Sequence, residues 1–492
     1  MGVFLFLLLV STTAGAQFLR TSYFMEGATN RIQLNPALQP SRGYVNIPVI
    51  GSVNVSATSN SLGTQDIIDV CNNDGNFFDN NDFFNQLSTT NRMNVSLSSD
   101  VISFGFYRGK GFWSASVGLR ADVDASIPKS MFSYLRDMDN ENFDVLQQGI
   151  DIRNEKLNIN AYTEVGIGYS RPINDRLTVG GKVKVLMGVG NLNLNVRQIA
   201  LKANMPEILT QYSPSMIMDI KKNPQYYEEI LRKNPNLVNN YQAALNDVHA
   251  SICTDATLEG SLKGLELKES DPDEQGRRYV DDIDMNGFGI AGYGGAIDLG
   301  ATYKILNNLT VSAAVIDLGF VSWSKSSNTM ATADRNLTYN KDNYQDFLDR
   351  TQNGEVFDFD LIGLHIDDKT KSRTTSLAST LVLGAEYGFF NNKLTAGLLS
   401  TTRFGKMRTV SELTVSANYR PNTWVNAALS YSMIQSAGKS FGLAIKAGPL
   451  MIGTDYMYLG SDTKCVNGYL GISVPLGKKK KSACCRDIIL EQ

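Results

Sequence analysis

The stretch that decides the fold is Gly295-Ala-Ile-Asp-Leu-Gly-Ala-Thr-Tyr303, then Lys304-Ile-Leu-Asn-Asn308, then Leu309-Thr-Val-Ser-Ala-Ala-Val-Ile-Asp-Leu-Gly-Phe-Val-Ser-Trp323. In its first part apolar residues alternate with polar or small ones, which is the period of a β-strand with two different faces. The Ile-Leu-Asn-Asn turn lets the chain fold straight back as a hairpin. The apolar parity switches at Val315 and Ile316, and a β-bulge there would keep one apolar face continuous.

The same alternation recurs along the chain in segments of about ten residues, the length that crosses a bilayer when a strand is tilted. The connections between them are alternately short and long, as in outer-membrane barrels. A soluble β-sandwich with one wet face is the alternative. The fourteen predicted strands are 44–57, 93–107, 111–126, 157–170, 176–196, 288–303, 309–323, 376–388, 393–403, 409–420, 423–434, 440–447, 451–459 and 466–475.

The two parities of these strands differ in chemistry. Four tyrosines on the apolar parity, each just before a short turn, predict an aromatic girdle at one membrane surface; they are Tyr169, Tyr303, Tyr387 and Tyr419. The opposite parity carries charges that would be costly against lipid and should face the lumen. These are Arg120, Asp122, Asp124, Glu164, Lys182, Lys184, Asp298, Glu386, Glu412, Lys446 and Asp455. The fold class predicted is therefore all-β, a transmembrane antiparallel β-barrel of about fourteen strands.

The N-terminus predicts export. An apolar run from Val3 to Val10 precedes Ala14-Gly-Ala16, so residues 1–16 are predicted to be a signal peptide. No basic residue precedes the run, which leaves room for a true start further upstream. Beyond residue 16 no window approaches the roughly 20 apolar residues of a spanning helix. Such a chain is secreted, periplasmic or an outer-membrane barrel, and the strands favour the outer membrane.

The predicted organisation has four parts. The signal peptide (1–16) is followed by an N-terminal segment (17–43), the barrel (44–476) and a periplasmic tail (477–492). Two external segments, 197–287 and 324–375, interrupt the barrel. Helices are predicted to start near Pro224 and Pro235, each preceded by a capping Asn. Lys478 to Lys481 form either a solvated stop or a contact for an acidic partner.

The segment from Gln17 to Tyr44 contains Arg31-Ile-Gln-Leu-Asn35-Pro36-Ala37. This motif, ahead of fourteen predicted strands, resembles the long-chain fatty-acid transporter (FadL-like) superfamily of Gram-negative outer membranes. It is closer still to uncharacterised barrels thought to share that fold. The resemblance implies that the N-terminal segment plugs the barrel as a hatch, with Asn35, Pro36 and Ala37 as its motif. The chain departs from the transporters in its insertion at 197–287, so no ligand residues carry over.

Asp298 and Asp317 belong to two Ile-Asp-Leu-Gly copies that the hairpin brings together on the lumen face. Carboxylates about 5 Å apart repel each other unless a proton or a cation lies between them. The functional interpretation is a ligand or hatch anchor, with Arg20 and Arg31 as candidate partners. The structural interpretation is an ion pair with an inward Arg or Lys of the hatch or a neighbouring strand. If the pair anchors the hatch, Asp298→Asn should loosen it.

Three oxygen-bearing side chains, Asp282, Asp284 and Asn286, precede Gly287 with the spacing of half a calcium loop. The twelfth position is Tyr293 rather than Glu, so an acidic segment leading into a strand is the alternative. No cofactor is predicted.

An enzyme is not predicted. Ser440 lies in a Gly-x-Ser-x-Gly pattern at an expected hairpin tip, where the pattern lacks its usual strand-to-helix context. His249 and His365 are the only histidines that could assist it. The net charge of −3 offers no basic field, so no nucleic-acid partner is predicted either.

Two functions remain open from the sequence. The first is passive transport of a small hydrophobic ligand through a plugged barrel in the outer membrane, surrounded by lipid. The second is a structural or docking barrel whose external loops bind proteins of an envelope or secretion complex.

Overall fold

The computed structural model describes residues 19–63, 66, 81–138, 149–272, 278–352, 362–367, 371–422, 424–434, 440–460 and 463–477. The predicted signal peptide and the lysine run after residue 477 lie outside the described residues.

The chain is built mainly of β-strands, numbered here in chain order. They are β1 (Gly43–Asn46), β2 (Val53–Ser59), β3 (Thr90–Arg108), β4 (Gly111–Pro128), β5 (Ile150–Pro172), β6 (Leu177–Asn204), β7 (His249–Leu262), β8 (Leu265–Glu269), β9 (Val280–Met285), β10 (Gly292–Lys304), β11 (Leu309–Trp323), β12 (Asn328–Ala333), β13 (Asn336–Tyr339), β14 (Leu364–Ile366), β15 (Arg373–Ser376), β16 (Ser379–Phe389), β17 (Leu394–Phe404), β18 (Thr409–Tyr419), β19 (Val425–Ile434), β20 (Ser440–Ala447), β21 (Leu450–Thr454) and β22 (Cys465–Leu476).

Strand pairing closes into an antiparallel ring of fourteen barrel strands, which confirms the predicted fold class. β1 and β2 together form the first barrel strand, because both pair with β3 on one side and with β22 on the other. From β3 the ring continues through β4, β5, β6 and β10 to β11. β15 and β16 both pair with β11 and together form one barrel strand, and the ring then continues through β17 to β22. No barrel edge is left open, so the strand hydrogen bonds are satisfied within the ring.

The predicted strand limits are mostly right, with three corrections. The predicted strand 44–57 is broken into β1 and β2 at residues 47–52, where Pro48 has no N–H to donate. The predicted strand 451–459 ends at Thr454, because Asp455 and Tyr456 turn away to bind the N-terminal segment. β5 and β6 extend 23 and 28 residues, much further than expected, since they continue beyond the barrel.

The two faces of the wall are as predicted. Tyr169, Tyr303, Tyr387 and Tyr419 point outward, each between 39% and 54% exposed. Arg120, Glu164, Lys184, Asp298, Glu412 and Asp455 point inward and are at most 5% exposed. The predicted bulge is also present: Ile297 pairs with Leu318 and Leu299 with Val315, so Asp298 alone lies opposite Ile316 and Asp317. Asp317 adopts a φ of 58°, which a bulged residue of this type tolerates.

Beyond the long-connection end, β5 and β6 support an external domain. β7 pairs with β6, β12 and β13 pair with β7, and β14 pairs with β12, while β8 and β9 form a separate hairpin. Its helices are α1 (Asn81–Gln86), α2 (Lys129–Met138), α3 (Glu207–Gln211), α4 (Pro214–Lys222), α5 (Glu228–Lys233), α6 (Leu237–Asp247) and α7 (Tyr344–Gln352), with 3₁₀ turns at Pro224–Tyr227 and Lys325–Ser327. Side chains of several helices and of β5 to β7 share one hydrophobic core.

The helix starts expected near Pro224 and Pro235 are present, as the 3₁₀ turn at Pro224 that leads into α5 and as α6, which begins at Leu237. The predicted capping is wrong, because Asn223 caps no N–H with its side chain and Asn234 ends α5 instead of starting α6. The strands of the external domain were not predicted, because their alternation is short and mixed with charge. Among the described residues, no helix has both the length and the hydropathy needed to cross a bilayer.

The buried carboxyl of Glu155 should make the stability of the external domain depend on pH. Glu155 lies on β5 opposite Val196 of β6. Val196 also pairs with Ala256 of β7, a strand of the external domain, so Glu155 lies above the barrel. Burial raises the pKa of its carboxyl to about 7. The folded domain therefore favours the protonated form, and this stability is complete below the ordinary Glu pKa and is lost as the pH rises through 7.

We expect the external domain to lose about 3 kcal/mol between acidic and mildly alkaline pH. Thermal unfolding followed by near-ultraviolet circular dichroism at several pH values measures this loss. Glu155→Gln should remove the dependence, and an equal dependence in both proteins would contradict the assignment.

Candidate functional site

Residues 19–42, called here the N-terminal segment, lie inside the ring. Their side chains bond to inward residues on many sides of the wall. The Tyr23 hydroxyl is 2.9 Å from Ser312 Oγ on β11, and Gln33 donates to Asp100 of β3 at 2.6 Å. Gln39 donates to Ser170 of β5 at 3.1 Å, and Thr21 Oγ1 is 2.7 Å from Ser430 Oγ on β19. Apolar residues of the segment share a core with inward residues of the wall.

Arg20 holds the start of this segment. Its guanidinium forms an ion pair with Glu412 of β18 and donates to the hydroxyl of Tyr456, which in turn donates to Glu412. The Asp455 carboxylate accepts the backbone N–H groups of Arg20, at 3.2 Å, and of Thr21, at 2.8 Å. All of these groups are at most 2% exposed. A fully buried, hydrogen-bonded ion pair ties the segment to the wall at this point.

Asn35 places the Asn-Pro-Ala motif against β10 and β11. Its Oδ1 accepts the N–H of Ala37 at 2.9 Å, which closes a local turn. Its amide nitrogen donates to Tyr23 Oη at 3.2 Å and reaches the carbonyl oxygens of Ala301 and Ala313 at 3.4 and 3.5 Å. A side chain can approach wall carbonyls this closely only where the wall itself has no inward side chain.

Two glycines make this room. A Cβ on Gly300 would lie 2.1 Å from Asn35 Oδ1, and one on Gly180 would lie 2.5 Å from the carbonyl group of Pro36. The Asn-Pro-Ala motif therefore packs directly against the backbone of the wall, with no wall side chain between them.

We expect Gly300→Ala to displace Asn35 and to loosen the N-terminal segment while the barrel still folds. The added methyl group meets Asn35 and Pro36 rather than the strand itself. Limited proteolysis of the folded protein measures the loosening as faster cleavage within residues 19–42. The matched control is Gly468→Ala on β22, where a Cβ meets no atom within 4 Å. Equal cleavage of the two variants would disprove the close fit.

A line of buried charged side chains runs across neighbouring strands on the inner face of the wall, beside the motif. Lys184 Nζ lies 2.5 Å from Asp317 Oδ1, 2.8 Å from Asp298 Oδ2 and 3.8 Å from Glu164 Oε2. The Asp317 N–H donates to Asp298 Oδ1 at 2.8 Å, so the bulge itself contributes a donor. Further along, Arg120 lies 2.9 Å from both Glu164 and Asp100. Asp100 also accepts from Gln33, which links this charge line to the N-terminal segment.

The structure brings Asp298 and Asp317 together and agrees with the structural interpretation, an ion pair with an inward Lys of a neighbouring strand, rather than with Arg20 or Arg31 as the partner. The cation between them is Lys184 of β6, the neighbouring strand, whereas Arg20 pairs with Glu412. Arg31 is buried, and no ion pair among the described residues joins it to either aspartate. Lys184 lies nearer because β6 pairs directly with β10, with Lys184 two residues from the position opposite Asp298.

The three calcium candidates lie on or just after a strand. Asp282 and Asp284 lie on β9, with Lys268 of β8 at 3.2 and 2.6 Å, and Asn286 donates to Glu266 at 3.0 Å. Both carboxylates therefore contact one ammonium group, and calcium binding at these residues stays a prediction that would require Lys268 to move away. Ser440 lies at the start of β20, and no described contact joins it to His249 or His365.

The outer face of the wall has an apolar depression directly behind the Asn-Pro-Ala motif. Its volume is about 600 Å³. Its lining combines outward apolar residues with small ones: Tyr169, Arg171, Ile173, Val179, Gly180, Gly181, Leu299, Gly300, Ala301, Ala313, Ala314, Val315 and Leu381. Gly180 and Gly300 line the depression on the outer face and meet Asn35 and Pro36 on the inner face. Only backbone therefore separates the depression from the Asn-Pro-Ala motif.

Sequence reasoning missed several of these residues. Lys184 and Glu164 were placed on the lumen face but not paired, because pairing depends on strand register. Gly180 and Gly300 looked like ordinary strand glycines. Tyr456 carried no signal at all, since its role depends on β21 ending early.

Several solved structures are similar to this chain. The toluene transporter TbuX of Ralstonia pickettii is 9% identical, with 91% of this chain and 93% of that chain covered and a TM-score of 0.40. The toluene transporter TodX of P. putida is 10% identical, with 92% and 95% covered and a TM-score of 0.38. A Pseudomonas aeruginosa FadL homologue is 11% identical, with 89% and 90% covered and a TM-score of 0.33. No curated protein matches the chain.

A family model matches residues 36–455, which begins within the Asn-Pro-Ala motif and ends at the aspartate that binds Arg20. This match spans most of the barrel, the external domain and β10 with β11. The chain belongs to the family of unknown function DUF5723.

Proposed function

We propose that this protein carries a small hydrophobic ligand passively across the outer membrane of a Gram-negative-type cell. The N-terminal segment acts as the hatch of the barrel, with Asn35, Pro36 and Ala37 as the part that covers the wall. The observation that carries the proposal is the apolar depression on the outer face, separated from Asn35 and Pro36 only by Gly180 and Gly300. A hydrophobic ligand meets little steric resistance where a wall has no side chains.

Movement of the hatch is a necessary part of the proposal. Three cavities inside or at the rim of the barrel have volumes of about 70, 10 and 20 Å³. Because the N-terminal segment also lies inside the ring, a ligand must displace part of it. Asn35 contributes three donor contacts of 3.2 to 3.5 Å to the wall and Tyr23, which are long and therefore weak. Arg20 is held far more tightly. We therefore place the moving part around Asn35 and the fixed part at Arg20.

The test fills the depression from outside. Ala301→Leu with Ala313→Leu adds bulk on the lipid-facing side, where both residues line the depression. The control is Ala396→Leu on β17, an exposed residue on the outer face outside the depression. Uptake is measured with N-phenylnaphthylamine, a small apolar dye, in Gram-negative cells that express the protein. We expect the double variant to fall to the level of cells without the protein and the control to keep its uptake; equal uptake by both would contradict the proposal.

A second candidate function is docking of envelope or secretion-complex proteins through the external domain. The observation that favours it is that this domain is ordered around its own hydrophobic core, while exposing Met218 and Tyr226 at 59% and 84%. A density map of natively purified protein separates the two functions. Elongated ligand density inside the barrel favours transport, and a protein bound to the external domain favours docking.

A further inference from the structure

The short-turn end of the barrel carries an uneven distribution of charge. Four consecutive short turns, those joining β3 to β4, β5 to β6, β10 to β11 and β16 to β17, hold exposed cations. Asp175 is the one carboxylate in these described turns. We call the six cations the basic arc: Arg108, Lys110, Arg171, Arg176, Lys304 and Lys393.

The basic arc is not neutralised by the protein. Among the described residues, none of its six side chains forms an ion pair. The other two short turns differ. Arg420 lies 3.3 Å from Glu386 and 3.6 Å from Glu26, and the turn at Gly448 carries no charge. Among these six described turns, the unpaired cations are therefore confined to one half of the rim.

The depth of the arc points to lipid headgroups. It lies just beyond Tyr169, Tyr303 and Tyr387, the outward tyrosines that mark the membrane surface. Arg and Lys at this depth extend their charge into the headgroup layer while their stems stay on apolar surface. Phosphate is the anion that this layer offers.

Three cations of the arc lie at the short-turn end of strands that line the apolar depression. Arg171 lines the depression itself. Arg176 and Lys304 are joined by a backbone hydrogen bond, from Lys304 N to the Arg176 carbonyl, at 2.9 Å. An anionic group bound by these residues would have an apolar channel of Leu299, Ala313 and Val315 leading away from it.

We propose that this face binds an anionic phospholipid of the surrounding leaflet, with its phosphate on Arg171, Arg176 and Lys304 and an acyl chain in the depression. The inference requires only that the barrel spans a bilayer, and it holds whether or not the protein transports a ligand. Charge complementarity selects the headgroup, and the small residues of the depression leave space for the chain.

The tryptophans provide a test within the protein. Trp113 is 41% exposed and its ring centroid lies 4.7 Å from that of Tyr169, at the edge of the depression. Trp424 is 61% exposed but lies on the other half of the rim. Trp323 is 1% exposed and gives a constant background. The variant Trp424→Phe therefore reports on the proposed site, and Trp113→Phe reports on lipid away from it.

The measurement is fluorescence quenching in vesicles that contain brominated phosphatidylglycerol or brominated phosphatidylcholine with identical chains. We expect Trp113 to sense phosphatidylglycerol with about fivefold higher apparent affinity. Trp424 shares a small cavity with Arg42 and Lys446, so its quenching should not depend on the three cations of the proposed site. Arg171→Gln with Arg176→Gln and Lys304→Gln should abolish the preference at Trp113. The control, Lys221→Gln with Lys222→Gln and Lys341→Gln in exposed external positions, should keep it.

Three results would overturn the proposal. These are equal quenching of Trp113 by both lipids, a preference that survives removal of the three cations, and loss of the preference when inorganic phosphate replaces chloride at constant ionic strength. The first is also the result expected if the arc binds an acidic protein instead. The last would indicate a site for a free anion rather than for a lipid.

Discussion

Replacing Lys184 with Met will destabilise the barrel by about 3 to 5 kcal/mol, the largest effect expected of any single substitution in the wall. Lys184 is the cation between Asp298 and Asp317 and it also faces Glu164. All four side chains are at most 5% exposed, so water cannot take the place of the lost charge. Methionine keeps most of the volume, which makes the loss electrostatic rather than a cavity effect.

Urea unfolding in detergent, followed by tryptophan fluorescence, measures this loss as a lower midpoint. A variant that adds Asp298→Asn and Asp317→Asn to Lys184→Met should recover much of the stability, because it removes the repelling carboxylates together with the cation. An unchanged midpoint for Lys184→Met alone would mean that the two aspartates are not both charged in the folded protein.

Replacing Glu412 with Gln will free the N-terminal segment without unfolding the barrel. Glu412 is the buried partner of the Arg20 guanidinium, and the amide cannot carry the balancing charge. A loss of about 3 kcal/mol in local stability raises the open population roughly 100-fold. The measurement is maleimide labelling of Ala28→Cys, a position 1% exposed in the segment, in a background without the native cysteines.

The control for this experiment is Asp298→Asn. The sequence left Asp298 open as a ligand or hatch anchor or as a member of an ion pair in the wall, and in the structure it contacts Lys184 and Asp317 of the wall. Asp298→Asn should therefore leave the labelling rate nearly unchanged. Faster labelling in Asp298→Asn than in Glu412→Gln would restore the original anchor hypothesis and refute the one based on Arg20.

The sequence predicts the wall of this protein well because a membrane-spanning strand has a simple rule. Lipid on one side and a polar lumen on the other force alternation, so Tyr303 and Asp298 could be assigned to opposite faces from parity alone. The bulge near Ile316 was predictable for the same reason, since the apolar parity changes there. The external strands obey no such rule, and β7 was missed.

Contacts between distant parts of the chain were not predictable. Lys184 and Asp298 meet through the register of β6 with β10, which single-strand patterns do not specify. Arg20 finds Glu412 because β21 ends at Thr454 and turns Tyr456 inward. Asn35 reaches the wall because Gly300 lacks a side chain, and a strand glycine has many other reasons to occur.

The central claim is that the N-terminal segment must move for a hydrophobic ligand to pass. A Cβ on Gly300 would lie 3.0 Å from Asn35 Cγ, close enough for Asn35→Cys and Gly300→Cys to form a disulfide that locks the moving part of the segment to β10. The most direct measurement is N-phenylnaphthylamine uptake by Gram-negative cells that express this double variant in a background without the native cysteines. Our account predicts that oxidation stops uptake and that a reductant restores it, while Asn35→Cys alone is insensitive to both. Undiminished uptake by the locked protein would contradict the account.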